Sequence, residues 1–370
     1  MTTNSVHGRA IIVDGHCDTP YRLFRRNMHL DEHDTEAQLD LKSLRESGIT
    51  ASFFAAYVPP FYAGRGAARF AYRIIELIHA EVRRRPDVLS FCGDAAGIRQ
   101  AKAEGKTAIM IGVEGGHAIE DSLSILGDFY KLGARYLTLT HVNTNNWCDS
   151  SGDAGRHNGL TDFGREVVHT MNDLGMIVDI SHVSDAAFYA VLETTRVPVV
   201  ATHSSCRALC RHPRNMTDGM LRDLAGNGGV CMINFFSAFL NDAVAQVVMN
   251  SRKRPVNESD GGTEEMPNDA TDWDLYLQWF RTLGSPQASL DDAADHIIHA
   301  AEVAGIDHVG IGSDFDGVPA LPAGLQTASG LPLLTARLLD RGLSEDDVTK
   351  ILGGNFLRVF EQIEAGRRSG

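Results

Sequence analysis

The chain has 370 residues, of which 43% are hydrophobic and 7% aromatic, and a formal net charge of −14. That length can bury a large core, as one big domain or two ordinary ones. The acidic balance excludes a polyanion as the natural partner, because nucleic-acid binding needs clustered Lys and Arg against phosphates, and the runs Arg83-Arg84-Arg85 and Arg252-Lys253-Arg254 are short, separated stretches of solvated charge.

Short apolar runs rich in Val, Ile, Thr and aromatics, each bounded by Gly or polar residues, predict strands at 10–16, 49–57, 107–113, 135–141, 176–182, 197–203, 228–235 and 308–314. Amphipathic spacing between them predicts helices over 70–84, 122–132, 161–174, 185–194, 217–225 and 290–304. Strand and helix in alternation imply parallel pairing through crossover helices. Eight such units fit a closed (β/α)₈ TIM barrel better than an open sheet, in a single domain over 1–370. The spacing is uneven after the seventh strand. There a stretch of about 50 residues, 237–286, carries the polar run 252–274 with Glu258, Asp260, Glu264 and Glu265. An insertion at that place belongs to the active-site face and is expected to form a lid or rim. Helices over 331–341 and 344–363 close the chain within a C-terminal segment, 320–370.

The six cysteines, Cys17, Cys92, Cys148, Cys206, Cys210 and Cys231, are dispersed, with no Cys-x-x-Cys pair, as expected of reduced thiols. No basic region followed by an apolar stretch opens the chain, no run approaches the roughly 18 apolar residues of a membrane span, and no hydrophobic tail ends it. The expectation is a soluble, cytoplasmic protein with no membrane partner.

Chemistry gathers where the strands end. The first apolar run stops in His16 and Asp18, two residues apart and therefore on one side of a strand. Taken alone, each is an ordinary hydrogen-bonding strand end. Glu114 closes the third strand, however, His141 the fourth, His182 the fifth, His203 the sixth and Asp314 the eighth, on the face where barrels carry their active sites. Imidazole and carboxylate are ligands for zinc or a similar divalent ion. Counting ligands suggests two ions per chain: His16 and Asp18 for one, His182 and His203 for the other, with Glu114 bridging through its two oxygens. A water shared by two such ions loses its proton near neutral pH and becomes a nucleophile. That suits amide or ester hydrolysis, with Asp314 shuttling the proton to the leaving amine and His141 polarising the carbonyl. Arg214, in the loop after the sixth strand, reads by itself as a surface arginine, although a rim guanidinium also matches a substrate carboxylate. His296 and His299 are expected to be solvated on their helix, and Cys17 to point away from the ligands beside it.

With these residues assembled, the chain resembles the renal (membrane) dipeptidase family of zinc dipeptidases, within the amidohydrolase superfamily. The motifs that carry the resemblance are Asp14-Gly15-His16-Cys17-Asp18-Thr19, Gly112-Val113-Glu114-Gly115-Gly116-His117, Leu137-Thr138-Leu139-Thr140-His141 with Asn143-Thr144-Asn145, Asp179-Ile180-Ser181-His182, Thr202-His203-Ser204-Ser205 and Gly310-Ile311-Gly312-Ser313-Asp314-Phe315-Asp316-Gly317. The resemblance implies a binuclear zinc centre bridged by Glu114 rather than by a carbamylated lysine, substrate contacts from His141 and Arg214, and Asp314 as acid and base. Asp316 is the rival to Asp314, and His117 a candidate for support behind the ligands. The implied substrates are dipeptides with an L- or D-residue at the carboxyl end, and the family precedent is a homodimer. Secreted animal members are disulfide-bonded and lipid-anchored; this chain looks like a bacterial cytosolic relative. The competing readings are hydrolysis of an N-acyl amino acid, a lactone or a β-lactam, and a zinc-binding scaffold without catalysis.

Overall fold

The computed structural model describes residues 5–251, 273–284 and 286–368. Its strands are β1 (Val13–Cys17), β2 (Ala51–Tyr57), β3 (Leu89–Phe91), β4 (Thr107–Glu114), β5 (Ala134–Thr138), β6 (Ile177–Asp179), β7 (Val200–Ser204), β8 (Val230–Ile233) and β9 (Val309–Ile311). Every ladder is parallel. Pairing runs β1–β2–β4–β5–β6–β7–β8–β9 and returns from β9 to β1, so eight strands close a barrel. All eight expected strands are present, each at or within its expected range to within a residue or two. The addition is β3, which pairs with Thr107–Ile109 at the start of β4, while β5 takes Ile111–Glu114 farther along.

The alternation of side chains along each strand divides the core into two layers. On β4, Ala108 and Met110 face the barrel interior with Val13, Phe53, Tyr136 and Met232. Ile109, Ile111 and Val113 join the outer layer, between barrel and helices. Helix Ala67–Arg84 completes that layer with Phe70, Ile74, Ile75 and Ile78 on one stripe. Burying four such side chains contributes on the order of 6–12 kcal/mol before entropy is counted. Phe356 and Phe360 from helix Asn355–Ala365 join the interior cluster. One packing choice matters for function. A Cβ on Gly112 would fall inside the Tyr136 ring, so the bare glycine is what lets that tyrosine lie across the barrel.

Helices begin where a side chain satisfies their first amides. Ser122, Thr161 and Thr217, which the sequence pattern counts as helical, are the N-caps, accepting from the amides of Ile125, Gly164 and Met220. The single closing helix expected over 344–363 is broken into Glu345–Thr349, a wider turn over Lys350–Gly354 and Asn355–Ala365. Gly353 leaves helical geometry there, and a Cβ on it would fall against the Ile11 carbonyl and Val13.

Within the expected insertion, Ser237–Leu240, Asp242–Ser251 and Trp273–Thr282 are helices. Phe280 is buried against Phe236, and Arg281 pairs with Glu36 at 2.6 Å, which ties this end of the insertion to the rim. Most of the polar run, with Glu258, Asp260, Glu264 and Glu265, lies outside the described residues. Among the described residues no helix is long and apolar enough to cross a membrane.

Candidate metal centre

At the C-terminal mouth of the barrel the strand ends bring His16, Asp18, Glu114, His141, His182, His203 and Asp314 together. Their ligand atoms fall into three overlapping groups, each within 4.8 Å: His16 with Glu114 and His203, Glu114 with His141 and His182, and His16 with Asp18 and Asp314. Glu114 Oε2 lies 3.5 Å from His16 Nε2, which is itself 3.5 Å from Asp18 Oδ2. The other oxygen, Oε1, lies 3.2 Å from His182 Nε2 and 3.5 Å from His203 Nε2. Two ligands each about 2.1 Å from one zinc, at the tetrahedral angle, stand about 3.4 Å apart. These spacings suit ligands around a shared cation.

Hydrogen bonds behind the imidazoles fix which nitrogen faces inward. His16 Nδ1 shares a 2.7 Å hydrogen bond with the Tyr136 hydroxyl, leaving its buried Nε2 with no hydrogen-bond partner. Thr202 Oγ1 donates to Asp179 Oδ2 at 2.8 Å and therefore accepts from His203 Nδ1, also at 2.8 Å. The His203 Nε2 lone pair is thus turned toward Glu114. Asp179 is the hub: it also accepts from Thr138 Oγ1 and from the amides of Ser181 and Thr202. His182 Nε2 and His203 Nε2 stand 2.9 Å apart. His141 Nε2 comes within 3.9 Å of Glu114 Oε1, so its ring stands at ligand distance as well as at substrate distance. The donor set fits divalent metal: buried nitrogens and carboxylate oxygens converge, and an unpartnered group of that kind is costly without a counter-charge.

The backbone is strained where it aims these groups. His182 and Asp314 have φ of 69° and 64°, left-handed values that cost a non-glycine residue of order 1–3 kcal/mol. Asp314 is held by its amide to the His16 carbonyl at 3.0 Å, and its Oδ2 accepts from Asn234 Nδ2 at 2.7 Å. Burial pushes its carboxyl above the usual range. Asp316 is engaged elsewhere, accepting from Thr19 Oγ1 and the Gln38 amide and pairing with Arg22 at 3.1 Å, which leaves Asp314 as the carboxylate facing the cluster. Burial pushes His141, His182 and His203 well below the ordinary imidazole value, with the neighbouring Arg214 or His16 cations adding to it.

One local reading, already set aside by the family resemblance, and one expectation do not hold. Arg214 is not a surface arginine: it is 8% exposed, donates to the His203 carbonyl at 3.1 Å and lies over the Phe239 ring. Its Nε has no partner, and burial brings the guanidinium down to about 10. His296 is not solvated either. Its ring is fully buried between the Cys206 amide at 3.0 Å and the Leu240 carbonyl at 3.0 Å, while His299 pairs with Asp218. Cys17 is buried with its Sγ toward Ser52 Oγ and belongs to none of the ligand groups. His117 is buried beside the site, in the wall of an adjoining cleft. Sequence reading gave no role to Tyr136 and Asn234, nor to Asp179 and Thr202 within their motifs, and all four act by positioning the groups above.

A parallel eight-stranded barrel with histidines and carboxylates gathered around one glutamate at its C-terminal mouth defines a metallohydrolase of the amidohydrolase type. More narrowly, the chain belongs to the membrane dipeptidase family, peptidase family M19, whose model matches residues 1–369. It is 34% identical over 371 residues to the dipeptidase verJ of Clonostachys rogersoniana, covering 95% of this chain and 84% of that one. Among solved structures, the probable dipeptidase PvdM of Pseudomonas aeruginosa superposes with a TM-score of 0.82 at 27% identity, covering 98% of this chain and 97% of the other. A Rhodobacter sphaeroides metallopeptidase, liganded with a phosphinate mimic of the dipeptide L-Ala-D-Ala, superposes with a TM-score of 0.78 at 25% identity, covering 96% and 99%.

Proposed function

We propose that this chain is a zinc-dependent dipeptidase that hydrolyses L,L and L,D dipeptides. The observation that carries the reading is the pairing of a glutamate, whose two oxygens face two histidine sets, with a buried arginine at the same mouth. His16 and Asp18 would hold one divalent ion and His182 and His203 the other, with Glu114 between. Bound zinc in such a site polarises a carbonyl and lowers the pKa of water.

The remaining steps belong to the chain's own groups. Arg214, charged and desolvated, holds the substrate carboxylate and fixes where the scissile amide lies. His141, kept neutral by burial, offers a ring N–H to the carbonyl oxygen rather than competing as a cation. Asp314 takes a proton from the attacking water and returns it to the leaving amine. A carboxyl raised by burial, with one oxygen held by Asn234, is suited to both transfers. The cytoplasmic location, the homodimer and the single-domain organisation with a lid or rim formed by 237–286 are part of the same proposal. The six buried cysteines, none in a disulfide, support the cytoplasmic location.

The test joins metal content to release of free amino acid from a panel of L,L and L,D dipeptides. Two zinc ions per chain with chelator-sensitive turnover is the expected result. Asp314→Asn is expected to lower turnover by roughly 10²–10⁴-fold, the range for a lost general acid–base, with zinc content unchanged. Full activity in that variant removes the assigned role, and turnover of blocked amides or lactones but not dipeptides transfers the reading to another amidohydrolase reaction.

A further inference from the structure

Asp316 lies two residues beyond the acid–base carboxylate, and the chemistry above gives it nothing to do. We infer that Asp316 is a positioning residue: its carboxylate locks the far end of the turn 314–317 and so fixes where Asp314 meets the scissile amide. The inference rests on the dipeptidase reading above for what Asp314 does.

The turn is strained and is held at both ends. Asp314 and Asp316 each have φ of 64°, and left-handed backbone in a non-glycine residue persists only where its surroundings over-determine it. At the near end the holding group is Asp14 of β1, whose two oxygens accept from the Ser313 amide at 2.8 Å and the Ser313 hydroxyl at 2.7 Å. The turn is next laced to the end of β1: the Asp314 amide donates to the His16 carbonyl at 3.0 Å, and the Asp18 amide to the Phe315 carbonyl at 2.8 Å. At the far end the holding groups meet at Asp316. Its carboxylate accepts from Thr19 Oγ1 at 2.7 Å and the Gln38 amide at 2.8 Å, with Arg22 Nε 3.1 Å away. Its own amide donates to Gln38 Oε1 at 2.7 Å, while Gln38 Nε2 donates to the Val318 carbonyl at 2.7 Å, so one side chain brackets residues 316–318. The Phe315 amide reaches Ser313 Oγ and the Gly317 amide the Asp314 carbonyl, so every amide from 314 to 317 has an acceptor.

The composition of this lock points to geometry rather than stability. Arg22 is 6% exposed and is shared between Asp316 and Asp34, 2.9 Å from the latter, with a further bond to the Leu39 carbonyl at 2.8 Å. A buried ionic triad is a poor source of stability, because apolar groups of similar volume often serve as well or better. What it supplies is a single arrangement of the chain, and here the tolerance is small. A Cβ on Gly317 would fall on both Asp18 Oδ2 and Asp314 Oδ1, so the turn passes between a metal-ligand candidate and the acid–base group without slack. Displacing a reacting group by about 1 Å can cost roughly 100-fold in rate.

The experiment compares kcat/KM on Ala-Ala and on its thioester analogue, L-alanyl-L-thiolactate, for the zinc-loaded parent and its D316N and Q38L variants. The thioester keeps the carboxylate for Arg214, but its thiolate leaves without a proton, whereas the amine must receive one from Asp314. D316N keeps the shape of the side chain and removes its charge; Q38L opens the bracket and leaves no charge unpaired. The expected loss in D316N is about 100-fold on Ala-Ala and about tenfold or less on the thioester, with Q38L changing the ratio in the same direction. A smaller folded fraction would lower both substrates alike. Amide hydrogen exchange in peptides spanning 313–318 is expected to quicken about tenfold or more in D316N while β1 and β8 stay protected. Equal losses on the two substrates, undiminished turnover of Ala-Ala, or unchanged exchange overturns the inference. If D316N does not fold, Q38L decides by the same ratio. If the parent cleaves no dipeptide, the dipeptidase reading fails, and exchange alone decides: faster exchange in the turn upholds the lock, and unchanged exchange overturns it.

Discussion

Replacing Arg214 by methionine separates what the buried guanidinium costs the fold from what it gives the reaction. The group is 8% exposed, has one hydrogen bond to the His203 carbonyl, and is brought down to about 10 from its ordinary 12.5 chiefly by burial. That difference corresponds to a penalty of about 3 kcal/mol on the charged form, at 1.36 kcal/mol per pKa unit. Methionine fills similar space without the charge, and the lost hydrogen bond is worth only about 1 kcal/mol. R214M is therefore expected to be at least as resistant to urea as the parent in metal-stripped protein. Catalysis should move the other way. Truncating one partner of a buried charge pair costs about 2–5 kcal/mol, so kcat/KM on Ala-Ala is expected to fall roughly 30- to several-thousand-fold. The decisive comparison is Ala-Ala against its carboxyl-terminal amide. The parent should favour the free carboxylate strongly and R214M hardly at all. An R214M enzyme that keeps the parent's preference for the free carboxylate refutes the assignment, and one that unfolds more readily refutes the penalty.

Tyr136→Phe removes the hydroxyl that orients His16 Nδ1 while keeping the ring. Zinc affinity, measured by competition with a chelator, is expected to drop about 10- to 100-fold, and an unchanged affinity would mean that the hydrogen bond is incidental. Gly317→Ala would place a Cβ against both Asp18 Oδ2 and Asp314 Oδ1. It should abolish turnover and weaken zinc binding while the circular dichroism spectrum stays native, and full activity would show that these carboxylates have room to move. His296 gives a pH prediction far from the metal. Burial lowers its ring to about 4 from 6.5, because a second ring proton would confront the Cys206 amide. The unfolded chain then binds more protons between those values, so stability is full above about pH 6.5 and falls toward pH 4 by up to about 3 kcal/mol. His296→Gln should flatten that dependence in urea titrations of metal-stripped protein, and a slope equal to the parent's would assign it to other groups.

Strands and ligands were legible because both are local patterns. A buried strand reads as an apolar run, and a titratable residue directly after it is visible in the same window, so His16, Glu114 and His203 come from the sequence with their neighbours. His141, His182 and Asp314 lie beyond the observed ends of their strands, in turns that re-aim them. Their membership was predicted, but the left-handed backbone of His182 and Asp314 was not. Tyr136 reads as one more core aromatic, since nothing local tells that its hydroxyl crosses the barrel to a histidine 120 positions earlier. Arg214 is illegible from its neighbours for the same reason, and only the family resemblance placed it at the substrate: whether a loop turns its guanidinium in or out is decided by Phe239 and the His203 carbonyl, which arrive from other elements. His296 was a misreading of available information. Ala293, Ile297 and Ala300 mark the buried stripe of its helix, and residue 296 falls on it at helical spacing.

The electrostatic pattern of the mouth argues that its charges are arranged for cations. Burial is the largest influence on Glu114, Asp314, His141, His182 and His203, and it drives each toward its neutral form, the carboxyls up and the imidazoles down. A site built only for stability would replace such groups by apolar ones of similar size, since desolvated charges seldom repay their burial. His16 departs from the trend in an informative way. Burial opposes its protonation, yet the carboxylates of Glu114 and Asp18 outweigh burial and raise its pKa well above the ordinary value. Two carboxylates around one buried nitrogen attract positive charge more strongly than desolvation repels it, and a proton supplies only a single positive charge. A divalent ion answers both carboxylates at once and uses the imidazole lone pair that a proton would occupy. Metal binding should accordingly release the His16 proton, so zinc affinity is expected to rise with pH by about tenfold per unit until that group titrates. A zinc affinity independent of pH between 6 and 8 would contradict the ligand role assigned to His16.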